Sequence, residues 1–369
     1  MGDLFDGLAE GFTLKHVGIV GAGIIGACIA RELALAGCKV SVFEAHEPAS
    51  GASSRSMGWI NASFVTRIDY YEMRIAAIQA HRKLDQEFNG ALETQWTGSL
   101  NWEARDDKLD ELVDELGRFG HPVKLLVHDE LRGLEPELAD LPPKALLMEN
   151  EGAVEAGHVT RVMLRAAQDA GAVVLAGVPV SAIERGEKAG HVIISPAGRI
   201  QVDDVVIAAG VMTGELAEKC GQKLPMKNEP GVLIETNALP FRLQHTIWSP
   251  DVHFKQLPDG RAICGNLFSG ALGGDAVEDV AHRMLERMKQ RLPNAAAGLK
   301  IEKIRHGVRP MPLDSYPAIG RLNNDVYVCV MHSGVTLGPL VGELVASEIA
   351  TGTDVGMLKP FRPGRFNDA

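Results

Sequence analysis

Three glycines near the start of the chain, Gly21, Gly23 and Gly26, have the G-x-G-x-x-G spacing. The flanking residues predict a strand before them and a helix after them, so the loop stands at a helix N-terminus, which attracts phosphate. Gly21 permits the tight turn, Gly23 lets backbone approach a pyrophosphate, and Gly26 allows close helix packing. This pattern predicts a dinucleotide-binding loop. A glycine turn that serves packing alone is the alternative.

An acidic residue, Glu44, ends the next predicted strand. A carboxylate at that place accepts hydrogen bonds from ribose hydroxyls and repels a 2′-phosphate, so NADP is disfavoured. The candidate nucleotide contacts in this part of the chain are Gly21, Gly23, Ile24, Ile25, Gly26, Glu44 and Ala45.

Arg309 in the segment GVRP is the candidate for substrate recognition. A guanidinium holds a carboxylate through two parallel hydrogen bonds, and a surface salt bridge is the alternative role. His332 begins a turn before a predicted helix, and together with His253 it is a candidate base for a substrate hydroxyl. Trp59 and Lys255 are weaker candidates for the same pocket, since packing or surface roles suit them as well.

The elements that position these residues follow from periodicity and turn signals. His16–Glu44 is predicted as strand, glycine turn, helix and strand, with Gly37 as the helix C-cap glycine. From 68 to 120 the pattern is helical and charged, with a short apolar patch at 98–102 that suits a strand. Further on, VTRVMLRAAQDAGAVVLAGVPVSAIE predicts a helix, a glycine break and a strand, and DDVVIAAG predicts another strand.

The later half of the chain gives a different pattern. Residues 223–303 predict strands and hairpins, including an Asp-Gly turn at Asp259 and Gly260. The segments DVYVCVM, HSGVTLG and PLVGELVASEIA predict strand, turn and helix. At 369 residues the chain is long enough for two domains.

Composition limits the class of partner and the compartment. The net charge is -11 without any basic block, which argues against nucleic acid. The five cysteines are scattered, odd in number and without metal-ligand spacing, so we expect reduced thiols, no metal site and a cytoplasmic protein. The first 20 residues do not resemble a signal peptide, and no long uncharged apolar run predicts a transmembrane segment.

The order of several motifs resembles the D-amino-acid oxidase superfamily of FAD-dependent oxidoreductases, most closely its glycine oxidase and sarcosine oxidase-like branch. The resemblance covers nearly the whole chain and rests on GAGIIG, GASSRSMGWIN, VVIAAG, GVRPMPLDSYPAIG and HSGVTLGPLVGELVASEI. It implies FAD as the cofactor. It also implies that the covalent flavin cysteine of sarcosine oxidase-type enzymes would stand near Met311, where no cysteine occurs, so we expect non-covalent FAD.

The resemblance extends the set of candidate FAD contacts. It implies that a small-residue loop runs along the flavin, that Val180 contacts the adenine, that Gly210 lies beside the nucleotide, and that the turn before the last helix faces the flavin pyrimidine. For Val180 and Gly210 an ordinary strand role is the alternative, and for the turn a plain helix start. These added residues are Ser53, Ser54, Arg55, Ser56, Met57, Gly58, Val180, Gly210, Ser333, Gly334, Val335 and Thr336.

The fold class expected from pattern and resemblance is α/β plus antiparallel β, with a Rossmann-like FAD-binding domain interleaved with an α+β substrate domain. We expect 15–95, 151–222 and 305–369 to form the first domain, and 96–150 and 223–304 to form the second.

The resemblance implies oxidative deamination of a small amino acid or secondary amine, by hydride transfer to flavin N5. Relatives with the GxRP segment use its arginine to hold the substrate carboxylate. Where glycine oxidases have an arginine this chain has His332, which argues against glycine itself as the substrate. Three alternatives remain: an FAD-dependent 2-hydroxy acid dehydrogenase, an FAD-bearing subunit of a heteromeric amine dehydrogenase, and an NAD enzyme. The electron acceptor is oxygen, a quinone or a partner subunit, and both homo- and hetero-oligomers remain open.

Overall fold

The computed structural model describes residues 15–64, 66–103, 105–187, 189–265 and 275–367. Its strands are β1 His16–Val20, β2 Lys39–Phe43, β3 Trp59–Ile60, β4 Ser99–Asn101, β5 Lys124–Val127, β6 Lys144–Met148, β7 Gly152–Ala153, β8 Val173–Leu175, β9 Ala182–Arg185, β10 His191–Ser195, β11 Gly198–Val202, β12 Asp204–Ile207, β13 Met226–Ala238, β14 Thr246–Trp248, β15 His253–Gln256, β16 Arg261–Gly265, β17 Ile301–Pro312, β18 Ala318–Arg321 and β19 Tyr327–Val330. Its helices are α1 Ile24–Leu35, α2 Ile68–Glu87, α3 Asp106–Arg118, α4 His128–Leu134, α5 Ala156–Asp169, α6 Thr213–Lys219, α7 Val277–Arg291, α8 Pro293–Ala296 and α9 Gly334–Thr351.

The chain divides into two compact units whose segments alternate along the sequence. The first unit contains 1–54, 157–228 and 309–369, and the second contains 55–156 and 229–308. The expected first boundary, at 95, is therefore wrong by about 40 residues, while the other three boundaries shift by four to six. The reason is that α2 bonds within the second unit: Arg74 donates to the Asn61 carbonyl, and the Tyr71 hydroxyl pairs with the ring of His121.

The main sheet of the first unit has six strands in the order β18-β19-β12-β1-β2-β8. Pairs β19/β12, β12/β1, β1/β2 and β2/β8 are parallel, and only the edge strand β18 is antiparallel. The central strands read as apolar runs because both of their faces are buried, as is usual in parallel sheets. A three-stranded antiparallel sheet, β11-β10-β9, belongs to the same unit.

Helices α1 and α9 pack together unusually closely in the first unit. A Cβ on Gly338 would lie 3.2 Å from Ile24 and 3.4 Å from the Cys28 sulfur, and one on Gly342 would lie 2.9 Å from the Cys28 backbone. Contacts on both helices advance in the same direction along the chain, so the two helices run parallel. Their N-termini therefore lie at the same end of the pair.

The second unit is built on an eight-stranded sheet in the order β17-β13-β16-β15-β14-β4-β6-β5. Because side chains alternate along strands, each face has its own composition. One face carries the large core, including Leu100, Ile234, Ile247 and Phe254, which buries residues of α7. The opposite face carries the candidates His253 and Lys255 together with Trp248 and the apolar side chains of Leu233 and Ile263.

Most predicted elements are confirmed, including the β1-α1-β2 unit, the short strand at 99–101 and the hairpin at Asp259 and Gly260. Two expectations are wrong. Val180 lies in the connection between β8 and β9 and not in a strand, since the Gly177 amide bonds His46 and turns the chain. The expected strand region at 223–303 also contains the helix α7, whose buried residues Ala281, Met284, Leu285 and Met288 recur at helical spacing.

Candidate functional site

Two glycines of the loop in the first unit, Gly21 and Gly26, have no room for a side chain. Gly21 has φ +108°, and a Cβ on it would lie 2.5 Å from the Ala208 carbonyl oxygen. A Cβ on Gly26 would overlap the Gly21 carbonyl oxygen. These glycines bring the start of α1 against the ends of β1 and β12. The N–H groups in the first turn of a helix have no intrahelical partner, so this turn can bind an anion.

Two side chains fix this loop from its neighbours. The Glu44 carboxylate accepts hydrogen bonds from the Ala22 amide, at 2.8 Å, and from the His46 amide, at 3.0 Å. The Ser53 hydroxyl accepts one from the Ile24 amide, at 2.9 Å. Glu44 therefore lies beside the glycine loop, as its predicted role requires, and Ala45 is exposed next to it.

The segments that follow two of the parallel strands, β12 and β8, bring two further candidates to this edge. Gly210 begins a short 3₁₀ helix after β12, with φ +59° and no atom within 4 Å of a Cβ placed on it. Val180 follows Val178, whose amide donates to the Glu44 carbonyl at 2.8 Å. The segment of Gly210 thus lies against the glycine loop, through Ala208 and Ala209, and the segment of Val180 is bonded to Glu44.

The second helix N-terminus at this site belongs to α9. His332 lies in the turn before this helix, Ser333 is the N-cap residue and Gly334 is the first helical residue. A Cβ placed on Gly334 would lie within 3.6 Å of the Ile24 and Ile25 side chains. Val335 and Thr336 follow in the first turn. Two parallel helices thus direct positive dipole ends to one edge, which favours negative charge there more than one helix does. The sequence predicted each helix but not their side-by-side arrangement.

Arg309 lies half-buried on β17, three residues before the end of that strand at Pro312. Met311, two residues further on the same strand, is buried, at 6% exposure. Both follow the point where the chain passes from the second unit back to the first.

The loop predicted to run along the flavin crosses a unit boundary. Ser53 and Ser54 belong to the first unit, and Arg55, Ser56, Met57 and Gly58 belong to the second. Within the second unit the Met57 side chain packs on Leu233, Leu257 and Ile263. The Arg55 side chain covers Gly307, and the Ser56 hydroxyl accepts from the Gly58 amide at 3.0 Å.

Lys255 is fully buried in the second unit beside Gly58. Its ammonium donates to the Val154 carbonyl, and a Cβ on Gly58 would lie 2.9 Å from the Lys255 nitrogen. Burial lowers the pKa of Lys255 to about 7, an effect that Arg305 reinforces and Glu155 opposes. This amine therefore titrates near neutral pH.

An aromatic group lies on the same sheet face as Lys255. The rings of His253 and Trp248 are stacked with centroids 4.4 Å apart, and Trp59 lies 4.8 Å from Trp248. The Phe64 ring centroid lies 5.6 Å from that of Trp248 and 5.9 Å from that of Trp59. His253 and Trp59 were sequence candidates, but Trp248 and Phe64 were missed because only tertiary packing brings them together.

A buried carboxylate, Glu151, was also missed. It accepts hydrogen bonds from the hydroxyls of Ser63, at 2.8 Å, and Ser99, at 2.6 Å, and from two backbone amides. Burial raises the pKa of Glu151, and these hydrogen bonds oppose that shift. A glutamate before a Gly-Ala dipeptide gives no signal of this role in the sequence.

The chain is similar to known proteins both in sequence and in fold. Glycine oxidase from Bacillus licheniformis is 27% identical over 344 residues, which are 90% of this chain and 92% of that protein. Glycine oxidase from Geobacillus kaustophilus is 26% identical, and the match covers 94% of this chain and 95% of that protein. The crystal structure of the Geobacillus kaustophilus enzyme matches 94% of this chain and 98% of that one, at 24% identity and a TM-score of 0.83, which shows the fold alone.

Another solved structure shares the fold of this chain. L-amino acid deaminase from Proteus vulgaris shares the fold at a TM-score of 0.86, over 99% of this chain and 98% of that one, with 19% identity. Among the described residues, no helix has both the length and the apolar character needed to cross a membrane. The family model described as FAD dependent oxidoreductase, DAO, matches residues 16–348. The resemblance seen in the motifs is confirmed, and the chain belongs to the DAO family of FAD-dependent oxidoreductases.

Proposed function

We propose that this enzyme oxidises the carbon–nitrogen bond of an amino acid or secondary amine to an imine, which water then hydrolyses. Two relatives that match nearly the whole chain are named glycine oxidases, which supports amine oxidation. FAD, when bound, supplies the acceptor for the hydride that leaves the α carbon, at flavin N5. The single observation that carries the proposal is the pairing of two helix N-termini with Glu44 at one edge of the first unit.

The residues of that edge fit an adenine dinucleotide. The glycine positions leave room for backbone to approach a pyrophosphate, and the first turn of α1 offers N–H groups to it. The Glu44 carboxylate accepts hydrogen bonds from two backbone amides, and in this proposal it would also accept hydrogen bonds from ribose hydroxyls. We propose that the first unit is the Rossmann-like FAD-binding domain and the second the substrate domain, with Val180 contacting the adenine and Gly210 beside the nucleotide.

We propose that the first turn of α9 binds the pyrimidine edge of the flavin. A helix N-terminus stabilises negative charge, so this turn would hold the pyrimidine edge of a bound flavin and favour its reduced, anionic form. Ser333, Gly334, Val335 and Thr336 would supply the N–H groups, and His332 would stand at the substrate side of the turn.

Arg309 is the proposed anchor for the substrate carboxylate. Two parallel hydrogen bonds from a guanidinium fix both the position and the rotation of a carboxylate, and so hold the α C–H bond in one direction. The amine must be neutral for the hydride to leave. The proposal therefore needs no strong base.

Anaerobic mixing with candidate substrates tests the proposal, because only a true substrate bleaches the flavin. Glycine, sarcosine, alanine, proline and the matching 2-hydroxy acids form the panel. We expect amines and not hydroxy acids to reduce the flavin. Arg309→Ala should weaken apparent substrate affinity about 100-fold with flavin retained, since a charged hydrogen-bond pair is lost.

The control is Arg199→Ala, which removes an exposed arginine of β11 that pairs with Glu184. This variant should keep the affinity of the parent enzyme. Bleaching by hydroxy acids alone, or unchanged affinity in Arg309→Ala, would contradict the proposal.

A further inference from the structure

Residues 356–366, which we name the C-terminal strap, form two short 3₁₀ helices in the first unit, Gly356–Phe361 and Pro363–Phe366. Apolar side chains anchor this strap. Phe361 is fully buried, and Phe366 is buried in the core cluster that contains residues of β12 and β19. Because this anchoring holds the backbone in place, two arginines of the strap reach neighbouring elements from a fixed position.

The first of these arginines, Arg362, attaches the strap to α9 and β18. Its guanidinium donates two hydrogen bonds to the Glu348 carboxylate of α9, one of them at 2.9 Å, and one to the Ile319 carbonyl of β18 at 3.4 Å. A Cβ on Gly320 would lie 2.8 Å from the Arg362 Cδ, so the strap packs closely on β18. The strap is therefore attached to two elements of the first unit.

The second arginine, Arg365, binds the turn that follows β17. Its Nε donates to one carboxylate oxygen of Asp314 at 2.7 Å, and its Nη2 donates to the other at 3.1 Å and to the Tyr316 carbonyl at 3.2 Å. Partial burial raises the pKa of Asp314, but hydrogen bonds from Arg365 and the Tyr316 amide outweigh burial and hold this pKa below its usual value. Two parallel charged hydrogen bonds fix the carboxylate both in position and in rotation.

The turn bound by Arg365, residues 313–316, has little apolar packing of its own. Leu313 is 53% exposed, and Asp314 and Ser315 are also exposed. Ser315 has φ +70°, a value that costs a non-glycine residue free energy and persists only where its surroundings enforce it. Polar contacts therefore hold this turn, and Arg365 supplies three of them.

This turn comes directly after the strand end that carries Arg309. Arg309 lies five residues before Asp314, and both belong to the segment of the first unit that starts at 309. An extended strand is close to its maximum length, so a shift at its end also shifts the residues before it. A misplacement of about 1 Å in a group that orients a substrate can cost up to about 100-fold in rate.

We propose that Asp314 and Arg365 are positioning residues, which hold the end of β17 so that Arg309 meets the substrate carboxylate in one orientation. This inference rests on the proposed function, in which Arg309 is the carboxylate anchor, and adds the groups that set its orientation. Neither positioning residue contacts the substrate. A partly exposed ion pair contributes little to stability, so its loss should weaken carboxylate binding more than folding.

Asp314→Asn and Arg365→Met test the inference in the FAD-loaded enzyme. Asparagine keeps an oxygen for the Tyr316 amide but loses the charge, and methionine keeps an unbranched side chain but loses the guanidinium. Acetate is the probe, because it carries a carboxylate and no amine, and its Kd can be read from the flavin absorbance. We expect each variant to raise this Kd about fivefold or more, with the Tm and the Kd for FAD close to those of the parent.

A conservative variant and a control separate a positioning role from a structural one. Arg365→Lys keeps the positive charge but cannot bond both Asp314 oxygens in parallel, so its acetate Kd should fall between those of the parent and Arg365→Met. Arg185→Met is the matched control, because Arg185 of β9 is an exposed arginine of the first unit that pairs with Asp325 at 3.0 Å. This control should bind acetate as the parent does.

Combination with Arg309→Ala shows whether the pair acts through Arg309. Arg309→Ala alone should weaken acetate binding, and Asp314→Asn should then cause no further loss, because the group that it positions is gone. The Kd is measured at constant ionic strength, so that high acetate concentrations can be used. An equal loss from Asp314→Asn in both backgrounds overturns the inference, and so does a parent-like Kd in Asp314→Asn.

The same measurements distinguish failure of this inference from failure of the proposed function. If Arg309→Ala weakens acetate binding but Asp314→Asn and Arg365→Met do not, the anchor stands and the positioning role is refuted. If Arg309→Ala binds acetate like the parent, both are refuted. If no amine bleaches the flavin and the effect of Asp314→Asn still depends on Arg309, the amine oxidation fails and the positioning role stands.

Discussion

Gly26→Ala in α1 tests whether the glycine loop binds FAD as the geometry requires. A Cβ on Gly26 would overlap the Gly21 carbonyl oxygen and lie 3.1 Å from its carbon. Carbon atoms pack best at about 3.5–4.0 Å, so the loop must retreat by on the order of 1 Å. Both atoms belong to backbone, which has no rotamer that relieves the overlap.

The size of the effect follows from what the displaced loop loses. An extra methyl in a packed site costs roughly 1–3 kcal/mol, while alanine in a helix gains up to about 1 kcal/mol over glycine, so the net loss of stability is modest. A lost hydrogen bond to a charged phosphate costs about 1.5–3 kcal/mol. We therefore expect the Kd for FAD to rise about 10- to 150-fold in a protein that still folds.

The assay is titration of the apoprotein with FAD, followed by quenching of flavin fluorescence, beside circular dichroism to show folding. Gly117→Ala is the matched control, because Gly117 lies inside α3 and nothing lies within 4 Å of its Cβ position. That variant should be slightly more stable and bind FAD normally. A folded Gly26→Ala protein with the Kd of the parent would refute the reasoning.

Three further predictions concern the cofactor and stability. Acid or denaturant should release all flavin into the supernatant, since Met311 and not cysteine occupies the segment where covalent attachment is expected; flavin that stays with the precipitated protein would contradict this. Gly342→Ala should lower the Tm, because its Cβ would meet the Cys28 backbone at 2.9 Å and overpacking costs roughly 1–3 kcal/mol; an unchanged melting curve would count against the close α1 and α9 packing. Burial lowers the pKa of His121 below its ordinary 6.5, so the unfolded chain binds more protons than the folded one and the free energy of unfolding falls as the pH drops below about 6.5. Urea unfolding at pH 7 and at pH 5 measures this fall, which should be smaller in His121→Gln than in the parent protein.

The nucleotide loop is the part of the site that the sequence predicts best. Gly21, Gly23 and Gly26 act within one turn, and Glu44 follows the next strand, so local pattern is enough to relate them. The structure confirms that Glu44 contacts this loop. Motif order likewise predicts the family and FAD.

The errors of prediction arise where local pattern does not decide the outcome. The expected domain boundary at 95 put the charged helix α2 in the first unit, yet its partners Asn61 and His121 belong to the second. Val180 has strand-forming neighbours, but turn geometry at Gly177 ends the strand earlier. Helix α7 lies among strands and hairpins in the sequence, and only its buried residues recur at helical spacing.

The sequence by itself determined the elements, the cofactor-binding loop and the family, because each depends on residues close together in the chain or on motifs in a fixed order. Tertiary structure alone decided that the α1 and α9 N-termini lie side by side, that Lys255 is buried, and that Trp248 and Phe64 meet Trp59. Those contacts join segments up to 314 residues apart, as between Ile24 and Gly338. Their geometry depends on strand register and packing, which no local pattern in one sequence specifies.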